Sequence, residues 1–450
     1  VAIRGFCINI SERLRSNQAT TFAQWIGAAN VVRNQKVGEY RKLLSEGRGS
    51  EIAQGYSHIK KCSGLEFLRE VPVQVLRNAA SGVFSDAEAA RKGLRKFPKV
   101  KGRNKKRSVL ITRELFMLEP LDQSSSLLTL FDNATKQRQK LFSLKLPYTP
   151  EQLARQFRVS RQGNKFTLSG SFDDGVINDS NDKLLKSYAH LDDETLLGNI
   201  TGIDRGVVRP IQTSDGLIIQ YTPEEVESLR KQARKKARYQ RILARKKRLN
   251  KNKNKHKCET AGQRKLAAKI AKADAKMADI RKNFSHQASS QVVKSAKLII
   301  GLEDLNLKGM TKRAKPKQDG RQFVKNKARA KSGLSRSLLN VALGRLGDYI
   351  EYKAVDYGKA TVRVSAAYSS KTHYACRSRD TVRPNQATLI CRRCGAEENA
   401  DENAAKVVAQ RTVTYIKENA FADKAKSRKT IVRRKKKVDD PPLVCELASG

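Results

Sequence analysis

Apolar residues recur at two different periods along the chain, and the change of period divides it. Residues 20–46 place Phe22, Trp25, Ile26, Ala29, Val32, Tyr40, Leu43 and Leu44 at helical spacing, which predicts one amphipathic helix. Gly-Arg-Gly-Ser at 47–50 breaks it. Residues 65–91 resume the helical period through Leu68, Val71, Val75, Leu76, Ala79, Val83 and Phe84, with Pro72 marking a first turn or a kink. After Pro98 the period falls to two. Val109 to Ile111, Leu127 to Phe131, Leu141 to Leu144 and Phe166 to Leu168 read as short strands of an antiparallel barrel, whose first strand is residues 1–10. Residues 173–198 are polar and Asp-rich and read as a linker.

In the second half, residues 199–206 end an apolar run on Asp204, and the chain then passes through Asp215-Gly216 into Leu217, Ile218 and Ile219, a strand and hairpin pattern. Residues 297–305 form a second short, buried-type strand, ending on Glu303 and Asp304. Between them, residues 223–295 predict a basic helical hairpin. Glu224, Glu225 and Glu227 suit its N-terminus, and cations on every face of residues 230–255 suit either solvent or phosphate contact. Ser335 is expected to cap a helix running through Leu338, Leu339, Ala342, Leu343, Leu346 and Ile350, followed by a strand at 361–365. This order of strands, helices and acids predicts an α+β, RNase H-like core.

Two groups of residues carry chemistry. His373-x2-Cys376-x14-Cys391-x2-Cys394 supplies two close ligand pairs joined by a loop, the arrangement a tetrahedral structural Zn2+ requires. Seven residues later comes Asp401-Glu402-Asn403, so a knuckle would hold Asp401 at a helix start. Asp204, Glu303 and Asp401 thus stand at element ends in three separated blocks. Acids so placed hold two divalent cations about 4 Å apart in nucleases, one activating water and one stabilising the leaving oxygen. Taken singly each acid could be a turn former, a surface acid or a charge favoured by a helix N-terminus. Asp304, Glu398 and Glu402 lie off the expected metal-facing register. His256 and Cys258 have no second pair nearby to complete a metal site.

Composition narrows the partner. Lys and Arg number 92 against 44 Asp and Glu, giving a net charge of +48 spread over the whole 450-residue chain. Such charge repels itself in a compact fold unless a polyanion neutralises it, which points to a long RNA. Aromatic residues make up only 6 %, so base stacking is not the expected main mode of binding. Of seven cysteines, three are in the zinc motif, while Cys7, Cys62, Cys258 and Cys445 are scattered. That gives little support to a secreted disulfide framework and fits a reducing cytosol. No apolar stretch approaches the roughly 20 residues needed to span a membrane, and no signal peptide opens the chain. The expected location is cytoplasmic, at the nucleoid when bound to DNA.

The blocks GIDRGV (202–207), GLEDLNLKGM (301–310), YSSKTHYAC (368–376), CRRCG (391–395) and NADENAA (399–405) resemble the RuvC-type core of the TnpB family, RNA-guided endonucleases of insertion sequences related to compact type V CRISPR effectors. FLREVPVQVLRNAASGVF (67–84) and KFPKVKGR (96–103) resemble the family's helical recognition region and its junction into a barrel. One departure is that His373 stands where the family has cysteine, with basic residues at 377–380 replacing small ones and glycine.

The resemblance implies a wedge β-barrel at 1–19 and 96–195, interrupted by a helical recognition lobe at 20–95. A RuvC-like core at 196–370 carries the basic insertion 223–295, followed by a zinc-binding knuckle at 371–396, a last core helix at 397–420 and a basic, disordered tail at 421–450. It implies a guide RNA that pairs with one strand of double-stranded target DNA beside a short adjacent motif. The displaced single strand would be cut at Asp204, Glu303 and Asp401 holding two Mg2+ ions, with Mn2+ as a substitute. Lys312, Arg313, Lys315 and Lys317, in a segment the family places over the site, would meet the substrate strand. A monomer is favoured. Three other readings remain open: a type V CRISPR effector, a cleavage-deficient RNA-guided DNA-binding protein, and a DNA-strand-transferring transposase.

Overall fold

The computed structural model describes residues 3–419 except 103–106, 135–137, 154, 164, 174, 177, 254–258 and 321. The expectations for the tail from 421 onward and for His256 and Cys258 therefore lie outside the described residues. The chain divides into two compact units, Val1–Ile177 and Asn178–Gly450.

The first unit combines two long helices with seven strands. Strand β1 (Ile3–Asn9) leads into α1 (Ser16–Ser45) and α2 (Val73–Arg91). There follow β2 (Arg107–Thr112), β3 (Phe116–Asp122), β4 (Ser125–Asp132), β5 (Gln139–Leu146), β6 (Gln156–Gln162) and β7 (Lys165–Asp173). Helix α1 buries Phe22, Trp25, Ile26, Ala29, Val32 and Tyr40 as its periodicity selects, but leaves Leu43 half-buried and Leu44 exposed at its C-terminal end. The second helical run is shorter than its pattern. Pro72 stands immediately before α2, and residues 66–70 form a separate 3-10 turn that buries Leu68.

The expected single barrel is corrected. The strands form two antiparallel sheets, ordered β1-β7-β6-β2 and β3-β4-β5, and no ladder joins them among the described residues. Both sheets bury their inner faces in one core with α1 and α2, around Phe22, Trp25, Ile111, Leu128, Leu130 and Phe157. Strands β3 and β6 escaped the sequence pattern because β3 is largely exposed and β6 alternates two buried apolar residues with Arg and Gln.

The second unit begins with α3 (Asn181–Tyr188) and α4 (Asp193–Gly198), capped by the side chains of Ser180 and Asp192. Residues 178–198 are thus not a linker, nor part of the first unit. Leu184, Leu185, Tyr188, Leu191 and Leu196 join a core cluster with the sheet that follows. That sheet contains β8 (Ile200–Asp204), β9 (Ile211–Thr213), β10 (Ile218–Ile219), β11 (Ile299–Asp304) and, later in the chain, a fifth strand at Ala360–Ser365.

Between β10 and β11 run α5 (Pro223–Lys253) and α6 (Ala261–Ser295). The second half of α6 is not a basic insertion: Phe284, Ala288, Val292 and Val293 are buried against the sheet with Ile203, Ile300 and Leu302. After β11 come α7 (Leu307–Met310), an exposed hairpin of β12 (Lys317–Asp319) and β13 (Gln322–Val324), α8 (Ala328–Val341) and α9 (Leu343–Asp356). Ser335 lies inside α8 and caps nothing. The expected single helix breaks instead at Ala342, whose φ of 57° is left-handed. The fifth strand is β14 (Ala360–Ser365). Strands β15 (Thr381–Val382), β16 (Thr388–Cys391) and β17 (Glu397–Asn399) make a small antiparallel sheet, and α10 (Ala400–Asn419) ends the described chain.

The main sheet has the order β10-β9-β8-β11-β14; β9 runs antiparallel to β8, while β11 is parallel to both β8 and β14. Helices α6 and α9 cover one face, and α10 covers the other. Gly202 and Gly301, paired across β8 and β11, set how closely α10 lies. A Cβ on Gly202 would stand 2.1 Å from the Ala405 carbonyl oxygen, and one on Gly301 would stand 2.2 Å from Thr412 Oγ1. Gly202→Ala must therefore push helix backbone away, and is expected to destabilise by about 1–3 kcal/mol, read as a lower Tm. An unchanged Tm would mean that α10 does not rest on Gly202. No helix among the described residues is long and apolar enough to cross a membrane.

Candidate active site and metal knuckle

Strands β8 and β11 carry the same alternation, Ile200-x-Gly202-x-Asp204 and Ile299-x-Gly301-x-Glu303, in parallel register. Alternate strand residues share a face. Isoleucine, glycine and acid therefore point toward α10 on both strands, and the acids come last, at the C-terminal edge. Helix α10 starts at that edge. The Asn399 side-chain oxygen accepts hydrogen bonds from the backbone N–H of Asp401 (3.1 Å) and Glu402 (3.2 Å), satisfying orphan donors of the first turn. Asp401 is thereby carried toward the other two acids.

The environment of the acids is electrostatically tense. Burial, then the charges of Glu303 and Asp401, pushes the Asp204 carboxyl up to about 7. Burial also raises the pKa of Glu303, which is 4 % exposed, against opposing hydrogen bonds from Ser369 and Asp204 and the charges of Arg205 and Arg411. Ser369 Oγ donates to Glu303 Oε1 at 2.6 Å. The two oxygens of Asp401 lie near arginines, Oδ2 at 4.0 Å from Arg209 Nε and Oδ1 at 3.8 Å from Arg383. A buried carboxyl whose pKa is raised by two neighbouring acids belongs to a cluster whose ionised form calls for a cation, and hard oxygen donors fit Mg2+ or Mn2+.

The four knuckle residues do come together, with ligand atoms all within 4.8 Å of one another. His373 Nδ1 is 3.2 Å from Cys376 Sγ and 3.4 Å from Cys394 Sγ, and Cys376 Sγ is 3.5 Å from Cys391 Sγ. These separations approach the edges of about 3.5–3.8 Å that bonds of roughly 2.0–2.3 Å to one tetrahedral ion would give. His373 is 1 % exposed, and its other nitrogen, Nε2, has no hydrogen-bond partner among the described residues, lying 3.7 Å from Glu398 Oε1. A metal on Nδ1 would leave Nε2–H facing that carboxylate, the usual outer-sphere arrangement. The donor set therefore fits a metal ion. Arg377, in the basic loop, has φ 56°, so a side-chain-bearing residue occupies a left-handed position that glycine fills without strain.

Knuckle and helix are joined by Asn403, fully buried on α10. Its oxygen accepts from the Tyr374 backbone N–H at 2.9 Å, and its nitrogen donates to the Thr372 carbonyl at 2.7 Å. Residues 372–374 are thus clamped to the turn that carries Asp401. The three acids and four knuckle residues are legible in the sequence, whereas the contacts of Asn403, Ser369, Arg205, Arg209 and Arg383 are not. The repeated Ile-x-Gly-x-acid pattern was a usable signal for the strand acids; isolated arginines in so basic a chain give none.

Residues 192–314 match the family model OrfB_IS605, described as "Probable transposase", and residues 344–408 match the "Cas12f1-like, TNB domain". The chain is 31 % identical over 211 residues to "Putative RNA-guided DNA endonuclease InsQ" of Escherichia coli (strain K12), covering 46 % of this chain and 48 % of that protein. It is 26 % identical over 209 residues to "Putative RNA-guided DNA endonuclease" of Streptomyces pristinaespiralis, covering 46 % of this chain and 43 % of that one. It spans about half the length of the curated relatives it matches. Among solved structures, the Cas12f1-sgRNA-target DNA complex aligns with 88 % of this chain and 83 % of that chain, at 16 % identity and a TM-score of 0.48. The two family matches together cover Asp204, Glu303, the knuckle and Asp401, so it is over these residues that the chain is similar to the OrfB_IS605 and Cas12f1-like families.

Proposed function

We propose that the protein is an RNA-guided DNA endonuclease with a RuvC-like, RNase H-type active site built from Asp204, Glu303 and Asp401. The observation that carries this reading is the parallel delivery of Asp204 and Glu303 to one sheet edge, beside the helix that carries Asp401 in its first turn. All three would hold divalent cations, two Mg2+ or Mn2+. Such ions, when bound, supply the charge that activates a water and stabilises the leaving oxygen in phosphodiester hydrolysis. Ser369 fixes one Glu303 oxygen, and Asn403 ties the Asp401 turn to a knuckle that would hold one structural Zn2+ on His373, Cys376, Cys391 and Cys394.

The partners are a guide RNA and double-stranded DNA, with the displaced strand as substrate. Pairing with the guide supplies sequence specificity, and the protein contributes phosphate contacts. Helix α5, which carries cations around most of its surface, is one such phosphate-binding element. The setting is cytoplasmic, and the working form is a monomer. The match of residues 344–408 to a Cas12f1-like domain supports a second reading, a type V CRISPR effector, which a neighbouring repeat array would distinguish from a transposon end.

The test is to purify the protein from cells carrying its native flanking DNA, sequence the RNA that accompanies it, and supply that RNA, retargeted, in a Mg2+ cleavage assay. One discrete RNA and cutting only of DNA complementary to it are expected. Heterogeneous RNA and cutting indifferent to the guide would refute the proposal.

A further inference from the structure

We infer that Arg205 is a positioning residue that sets the spacing between Asp204 and Glu303; this rests on the nuclease reading above. The backbone ladder between β8 and β11 ends at the pair Ile203–Leu302, one residue short of both acids. Beyond that point no backbone pairing of these two strands holds Asp204 against Glu303. A side chain takes over. The guanidinium of Arg205, the residue after Asp204, donates one hydrogen bond to the Glu303 carbonyl oxygen and another, at 3.1 Å, to the Leu343 carbonyl oxygen at the start of α9. One planar fork thus ties together the end of β8, the end of β11 and the first residue after the left-handed break at Ala342.

Arg205 is 4 % exposed, and its Nε has no hydrogen-bond partner among the described residues. A buried guanidinium left partly unsatisfied is costly unless nearby negative charge offsets it, and the neighbouring acids are Glu303, Glu351 and Asp204, opposed by the charge of Arg363. The fold also makes room for it. A Cβ on Gly347 of α9 would stand 2.3 Å from Arg205 NH1, so glycine there keeps the channel open. Lysine cannot replace the fork, because a single ammonium does not span two carbonyls in fixed geometry.

The test uses the full chain with its bound RNA and its knuckle metal retained. Direct Mn2+ binding is followed by the loss of the free-ion electron paramagnetic resonance signal, with cleavage rate measured in parallel. Asp204→Ala identifies the site in the wild-type titration. Arg205→Met is expected to raise half-saturating Mn2+ by about tenfold or more, the range for losing an outer partner of a metal ligand. Arg205→Lys is expected to recover only part of that loss. Gly347→Ala, which keeps the arginine but crowds it, is expected to shift binding in the same direction, and it decides the matter should Arg205→Met fail to fold. Unchanged or tighter Mn2+ binding in folded Arg205→Met or Gly347→Ala protein overturns the inference while leaving the nuclease reading intact. A wild-type protein with no Mn2+ site sensitive to Asp204→Ala overturns the reading itself.

Discussion

Asp204→Asn is expected to abolish cleavage, by on the order of a thousandfold or more, and at the same time to stabilise the magnesium-free protein at neutral and alkaline pH. Both effects come from one carboxyl. Asparagine keeps the shape but offers no charge to a divalent cation. In the magnesium-free fold that charge is a liability, because burial and the neighbouring acids raise the Asp204 pKa to about 7 from an ordinary value of about 3.9. Between those values the folded protein keeps a proton that the unfolded chain has released. The contribution of Asp204 to stability is therefore most favourable below about pH 4, falls as pH rises through that window, and shows its full penalty above 7. Three pH units correspond to at most about 4 kcal/mol, and relaxation of the coupled pair with Glu303 will reduce this. Thermal melts at pH 5 and 8 without magnesium should show wild type losing Tm and the variant losing less. Equal melting at pH 8 would remove the electrostatic account. Retained magnesium-dependent cutting would remove Asp204 from the site.

Cys391→Ser should be nearly as damaging from farther away. Cys391 is fully buried, and its thiol lies 3.5 Å from that of Cys376, so the substitution deletes one of the four proposed metal ligands from the interior of the knuckle. Structural zinc sites contribute folding free energy directly, about 10–16 kcal/mol of apparent binding in small zinc domains. Its loss should loosen residues 372–374 and hence the clamp that Asn403 makes with them. Asp401 lies two residues before Asn403 on the same first turn. A fall in cleavage of about a hundredfold is expected, with guide RNA still bound and no zinc by elemental analysis. Chelation of the wild-type protein should reproduce it. A variant that lacks zinc yet cuts at the wild-type rate would show that the knuckle does not position Asp401.

Elements whose local pattern matched their burial were legible in the chain. Helix α1 buries most of the residues its 3.6-residue period selects, leaving Leu44 exposed, and β8 and β11 end where their apolar runs meet an acid. The knuckle spacing was legible because four ligands must converge on one ion, which restricts how far apart they stand in sequence. Where a pattern was ambiguous, packing resolved it. Residues 173–198 read as a linker because they are largely polar and Asp-rich, yet a few apolar residues on one side suffice to seat two short helices within 181–198. The second half of α6 fell inside a segment, 223–295, expected to be a basic hairpin, yet Phe284, Ala288 and Val292 stand on one stripe and enter the core.

Residue types and their order along the chain were therefore enough to nominate the acids, the knuckle and a polyanionic partner, since charge, ligand chemistry and periodicity are local properties. What they could not contain was distance. Parallel pairing brings Glu303 beside Asp204, 99 residues earlier in the chain, and two glycines admit α10 with Asp401. Arg205, Ser369 and Asn403 acquire their roles only from neighbours remote in sequence, because hydrogen bonds and burial depend on which surfaces the fold presses together.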